Sequence, residues 1–154
     1  MNVAEKNLMR LGITLPPTAS PSANYVPARR QGNQIYISGQ VPSESGKDKF
    51  TGKLGSTFTV EEGQAAARLC AINILAQLKQ ALNGDLGQVV GVIRLGGFVN
   101  AEPDFEDHPK VINGASDLMV EVFGEAGRHA RAAVGVYSLP RNVPVEIDAI
   151  VEVR

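Results

Sequence analysis

The chain has no tryptophan, only 5% aromatic residues, one cysteine and two histidines. Each scarcity weighs against a class of function. Single-stranded nucleic acid is read on exposed aromatic platforms, and this sequence has few rings to offer. Charge of one sign is also lacking. Fifteen Lys and Arg face sixteen Asp and Glu, giving a net charge of −1 and a pI near 6.1. That leaves no general basic footprint for nucleic acid, though a local basic pocket remains open. Cys70 alone can make neither an internal disulfide nor a thiolate metal site, and a cytoplasmic location is expected. His108 and His129 lie far apart with no HxxxH or HExxH spacing, so no metal site is expected. No apolar run approaches the ~20 residues of a membrane span. The opening MNVAEKNLMRLG carries Glu5 among its basic residues and lacks the apolar core of a secretory signal. The glycine clusters LGGF and GEAG match neither GxGxxG nor GxxxxGK, and no GxSxG elbow occurs.

What is present is one domain's worth of chain: 154 residues, 44% hydrophobic, 20% charged, with 16 glycines. Val3, Leu8 and Leu11 suggest a short helix closed by Gly12. Residues 13–30 hold four prolines and should run extended. Asn24–Arg30 reads as an edge strand, because Pro27 lacks a ladder donor. Gly32-Asn33 then turns into Gln34–Val41, which alternates at period two. Strict alternation places Ile35, Ile37 and Gly39 on one face and Tyr36, Ser38 and Gln40 on the other.

Residues 42–58 are polar, glycine-rich and aperiodic, and read as a loop. Thr59 and Glu62 have capping-box spacing. Ala67, Ala71, Ile74, Leu75, Leu78 and Leu82 then share one helical face, ended by Asn83-Gly84. Val89–Asn100 is a central buried strand, with Gly96-Gly97 at a bulge or close approach. Asp107-His108-Pro109 opens a second helix with Val111, Ala115, Leu118 and Val122 inward. Ala130–Tyr137 and Val145–Val153 read as a terminal hairpin.

The order β-β-α-β-α-β-β predicts an α+β two-layer sandwich: a mixed sheet with two helices packed on one face. Small residues such as Ala133 and Gly135 are assigned to the uncovered face, which suits packing against another subunit. Cys70 falls inside the long helix and reads as a small buried hydrophobe. The terminal hairpin carries the chemistry. Arg131 stands among small residues, and Glu146 starts the partner strand. The residues alone leave two readings open. One is an exposed cross-strand ion pair. The other is a carboxylate-binding arginine beside a water-orienting glutamate.

At these residues the sequence resembles the RidA (YjgF) family, often labelled endoribonuclease L-PSP-like. Tyr25 and the run Gln34-Ile-Tyr-Ile-Ser-Gly-Gln-Val-Pro42 resemble its N-terminal hairpin. Ala130–Val136, Leu139-Pro140 and Val145–Ile150 resemble its signature of a (P/A)-R-x-x-V segment, an LP turn and an E-I-(E/D)-A-I strand. The resemblance implies a chorismate-mutase-like fold and a homotrimer with clefts between subunits. It further implies hydrolysis of reactive enamines and imines, such as 2-aminoacrylate, to a ketoacid and ammonia without a cofactor. By resemblance, Arg131 would clamp the substrate carboxylate and Glu146 would hold the attacking water. Tyr25, Ser38, Gly39, Asn113 and Ala133 would line the cleft.

Several departures mark a divergent branch. Ala133 stands where the archetype often has cysteine, and Gly135 replaces a larger residue. The segment from Asn113 to Arg131 is one residue longer, residues 42–58 are expanded, and residues 1–23 are extended. A non-catalytic trimer binding small carboxylate metabolites is therefore kept as the alternative function. Ribonuclease or translation-inhibitor activity is weighed against by charge and aromatic content, and no membrane partner is expected.

Overall fold

The computed structural model describes residues 1–18 and 23–154. Helix α1 (Val3–Arg10) starts at Asn2, whose side chain accepts the Glu5 N–H. It buries Ala4 and Leu8, whereas Val3 is 67% exposed. With Leu8 and Leu11 inward, helical spacing selects Ala4 as the next inner position, which corrects the place expected for Val3. Residues 13–18 form neither helix nor strand. Residues 19–22 of the proline-rich stretch lie outside the described residues.

Strands β1 (Ala28–Gln31) and β2 (Gln34–Gln40) pair through Gly32-Asn33, with Gln31 opposite Gln34. The expected strand from Asn24 begins only at Ala28, just past Pro27, which has no ladder donor. The expected strict alternation in β2 is also corrected. An irregularity between Ile37 and Gln40 brings Gln40 opposite the buried Ile147. Gly39 is thereby turned to the open face, where a Cβ would collide with the Glu146 carboxylate. Residues 42–58 are more than a loop. They hold a small hairpin, β3 (Ser43–Glu44) with β4 (Lys47–Asp48), and Leu54, which is buried and bridges to Ala101.

Helix α2 (Val60–Ala81) begins on a complete Thr59–Glu62 capping box, and its six predicted inward residues are all buried. Asn83 and Gly84 end it at φ 52° and 91°. Strand β5 (Val89–Asn100) and helix α3 (His108–Phe123) follow as expected. Then come β6 (Ala130–Val136) and β7 (Val145–Val153). The main sheet has the order β1-β2-β7-β5-β6. Helices α2 and α3 pack on each other and on the sheet, with α1 against α3.

The expected β6–β7 hairpin does not form. β6 pairs in parallel with β5, and β7 runs antiparallel to both β5 and β2. Parallel neighbours require a crossover, and α3 supplies it between β5 and β6. The β2–α2–β5 unit is split instead, leaving the slot that β7 fills. Burial agrees with this order. Central β7 buries Val145, Ile147, Ala149, Val151 and Val153, while edge β6 buries none of its residues fully.

The α2–α3 crossing is close because Gly114 has no side chain: a Cβ there would collide with the backbone carbonyl of Gln64. Backbone cannot move aside as a flexible side chain can. Gly114→Ala should therefore cost about 2 kcal/mol, lowering the melting temperature by about 5 °C in calorimetry.

Candidate functional site

Arg131 pairs with Leu95 and so points to the helix side of edge strand β6. Ala133 and Gly135 share that side, and a Cβ on Gly135 would strike the His108 ring. Arg131 Nη1 donates to Asn113 Oδ1 at 2.8 Å and to Ser116 Oγ at 3.1 Å, both on α3. Among the described residues its Nε and Nη2 have no partner. That free edge matches a carboxylate in bidentate geometry. Ser116 Oγ lies 2.8 Å from His129 Nε2, and His129 Nδ1 lies 2.6 Å from the Gly127 carbonyl.

Glu146 belongs to a different neighbourhood. It pairs with Phe98 and faces the open side of the sheet, against the Gly39 bulge. Ser38 donates its hydroxyl to the Val26 carbonyl at 2.8 Å, tying the bulge to the segment that carries exposed Tyr25. Partial burial and neighbouring Asp148 push the Glu146 carboxyl above its ordinary range, opposed by the Arg141 guanidinium. A carboxylate so raised is a better proton acceptor than an ordinary one.

Arg141 was not singled out in the sequence. It stands in the LPRN turn at φ 54°, followed by Asn142 at 59°. Both are left-handed conformations that a side-chain-bearing residue holds only when its surroundings impose them. Asn100 imposes this one. Fully buried, it donates to Asn142 Oδ1 and the Val143 carbonyl and accepts from Lys53 at 2.7 Å. Arg141 makes a bidentate pair with Asp48, at 2.6 and 3.1 Å, which holds the Asp48 carboxyl below its usual range. Its sequence signal was only its place, five residues before Glu146 in the turn that leads into β7. Ser116 and His129 were likewise not assigned to the site. Helical spacing does put Ser116 one turn from Asn113.

The proposed site residues thus form two groups. Arg131, Asn113 and Ala133 lie on the helix side of β6. Tyr25, Ser38, Gly39 and Glu146 gather at the open face. Strand β5 separates Arg131 from Glu146, and their side chains leave opposite faces of the sheet. Two strand spacings across and three residues along place their Cα atoms about 14 Å apart. The cross-strand ion pair is therefore excluded within one chain. Ala133 and Gly135, expected on the uncovered face, sit on the helix side because β6 takes its facing from β5. Cys70 is fully buried and its thiol is pushed well up by that burial, then by the charge of Glu146. It is a packing residue.

The sequence profile of the family described as "YjgF/chorismate mutase-like, putative endoribonuclease" matches residues 5–151. The chain belongs to the YjgF family. This YjgF chain is 51% identical to protein TCP17 of Trypanosoma cruzi, over 96% of its own length and 92% of that protein's. A solved structure of a protein of unknown function from Agrobacterium tumefaciens is 56% identical. The match covers 99% of this chain and 93% of that one, with a TM-score of 0.92. A 2-iminobutanoate/2-iminopropanoate deaminase from Dermatophagoides farinae is 28% identical, over 92% and 95% of the two chains. The spread of identities fits a divergent branch of the family. Among the described residues, no helix is long and apolar enough to cross a membrane.

The raised Glu146 carboxyl has a consequence for stability. The fold binds this proton more tightly than the unfolded chain does, so stability falls as pH rises through the Glu146 titration. Glu146→Gln removes that penalty. It should melt higher than wild type at pH 7, and the difference should close as pH falls below the titration. Arg141→Ala removes the opposing cation and should move the Glu146 carboxyl resonance to titrate at higher pH, read by carbon NMR.

Proposed function

We propose that the protein hydrolyses small enamines and imines bearing a carboxylate, in centres assembled from two copies of the chain. The supporting observation is the unpartnered edge of Arg131, fixed on one side by α3 and facing small residues on β6. That geometry suits a substrate carboxylate. The relative named 2-iminobutanoate/2-iminopropanoate deaminase is consistent with the same chemistry.

In this reading Arg131 holds the carboxylate and Glu146 of a neighbouring copy orients water toward the C=N carbon. Water adds to that carbon and passes a proton through Glu146 to nitrogen. The C–N bond then breaks, ammonia leaves and the carbonyl forms. An enamine first takes a proton at carbon to become the imine. A homotrimer would bring the two groups together, because a head-to-tail interface presents different faces of neighbouring copies. The open sheet face offers Tyr36, Phe98, Val134 and Ile150 for such packing, with Val134 47% exposed.

The test is ketoacid release from 2-aminoacrylate generated in situ. Wild type should accelerate it, and Arg131→Ala and Glu146→Gln should each lose about 100-fold or more. Mixing the two inactive variants during refolding should restore about a quarter of the sites, since only some interfaces combine intact halves. Equal background rates for all proteins would overturn the hydrolytic reading. If those proteins still bound 2-oxobutanoate in an Arg131-dependent manner, the chain would be a carboxylate-binding trimer. Activity without any restoration on mixing would place the complete site within one chain and overturn the shared centre.

A further inference from the structure

An arginine clamps a carboxylate well only if its guanidinium is held before the ligand arrives. On β6 the neighbours of Arg131 are Ala130, Ala132 and Ala133, which offer no polar group to hold it. The task falls to Asn113 and Ser116 of α3, which both accept from the same nitrogen, Nη1. The two acceptors differ. A carboxamide oxygen can only accept, so Asn113 is committed. A hydroxyl rotates and can donate as well as accept, so Ser116 needs something to direct its proton.

His129 supplies that direction. Its Nδ1 lies 2.6 Å from the Gly127 carbonyl, which only accepts, so Nδ1 carries the ring proton. In the neutral ring Nε2 is then bare and receives the Ser116 proton across 2.8 Å. The donors run in one direction: Arg131 to Ser116, Ser116 to His129, His129 to Gly127. The last acceptor is itself fixed. Gly127 packs so tightly on α3 that a Cβ would collide with the Met119 carbonyl. The relay thus leaves α3 and returns to it.

We infer that Ser116 and His129 are positioning residues that hold the Arg131 guanidinium with its Nε–Nη2 edge turned outward for a carboxylate. Neither touches the ligand. This rests on the reading of Arg131 as the clamp. The arrangement is a two-residue hydroxyl–imidazole support, and Asn113 is the acceptor that needs none.

The test uses 2-oxobutanoate as the probe, with affinity measured by calorimetry on the full chain. Ser116→Ala and His129→Phe should each weaken binding about 10-fold, the usual scale for a lost hydrogen bond to a charged group. Ser116→Thr keeps the hydroxyl, and His129→Gln can present an oxygen to Ser116 and an N–H to Gly127. Both should recover most of the affinity, which a merely structural role would not predict. In an Arg131→Ala background, Ser116→Ala should add nothing. Nitrogen NMR of the wild-type imidazole should show the Nδ1–H tautomer. Wild-type affinity in Ser116→Ala and His129→Phe, with binding lost in Arg131→Ala, would overturn the relay and leave the clamp standing. An Nε2–H tautomer would also overturn it. Binding absent from wild type, or unchanged in Arg131→Ala, would overturn clamp and relay together.

Discussion

The placement of β5 between β6 and β7 is the constraint on which the rest of the structure depends. Parallel pairing of β5 with β6, closed by α3, makes β6 an edge strand and fixes which way each of its side chains faces. Arg131 is carried to the helix side beside Leu95, within reach of Asn113 and Ser116. The same strand, pairing antiparallel with β7, sets Glu146 opposite Phe98 on the other side. A hairpin of β6 and β7 would have put Arg131 and Glu146 on adjacent strands. With β5 intervening, each keeps its own surroundings.

Those surroundings differ in a way the near-zero net charge conceals. Two arginines flank the proposed chemistry and are used differently. Arg141 is committed through both of its forked nitrogens to Asp48 and tempers Glu146 at a distance. Arg131 is held through one nitrogen by neutral acceptors, which leave its charge uncompensated. A carboxylate partner at Arg131 would have cancelled the charge that attracts an anion. Neutral acceptors fix orientation without that cost. The left-handed turn at Arg141 and Asn142 is sustained by Asn100, whose buried amide has its hydrogen bonds met there.

Much of this was legible in the sequence, and what was not has a common cause. Local signals carried far: the Thr59–Glu62 box, the apolar face of α2, the bounds of β5 and the Gly32-Asn33 turn depend on neighbouring residues only. Strand order depends on which elements meet, and a short β6–β7 connection reads locally as a hairpin. A cue was present all the same. β6 is mostly alanine and glycine on the side that faces the helices, as suits an edge, whereas β7 alternates aliphatic and charged residues over most of its length as a central strand with one buried face does. The β2 bulge escaped because period two is counted along one strand, while a bulge is a mismatch between two. The resemblance supplied the members of the proposed site. It could not show that they divide between two faces.

That division bears on why the sheet's open face is built as it is. Scattered apolar side chains are ordinary on a wet surface, but here Tyr36, Phe98, Val134 and Ile150 lie together along one face, with the Arg94–Asp148 pair among them. Apolar surface of this kind is stabilised by covering it. If a neighbouring copy covers it, the same contact that buries these side chains also brings an edge strand toward Glu146. Assembly and chemistry would then be one requirement. A lone chain would hold a clamp without its base on one face and a base without its clamp on the other. In such an assembly the free edge of Arg131 and the raised carboxyl of Glu146 would each be completed by the opposite face of an identical chain.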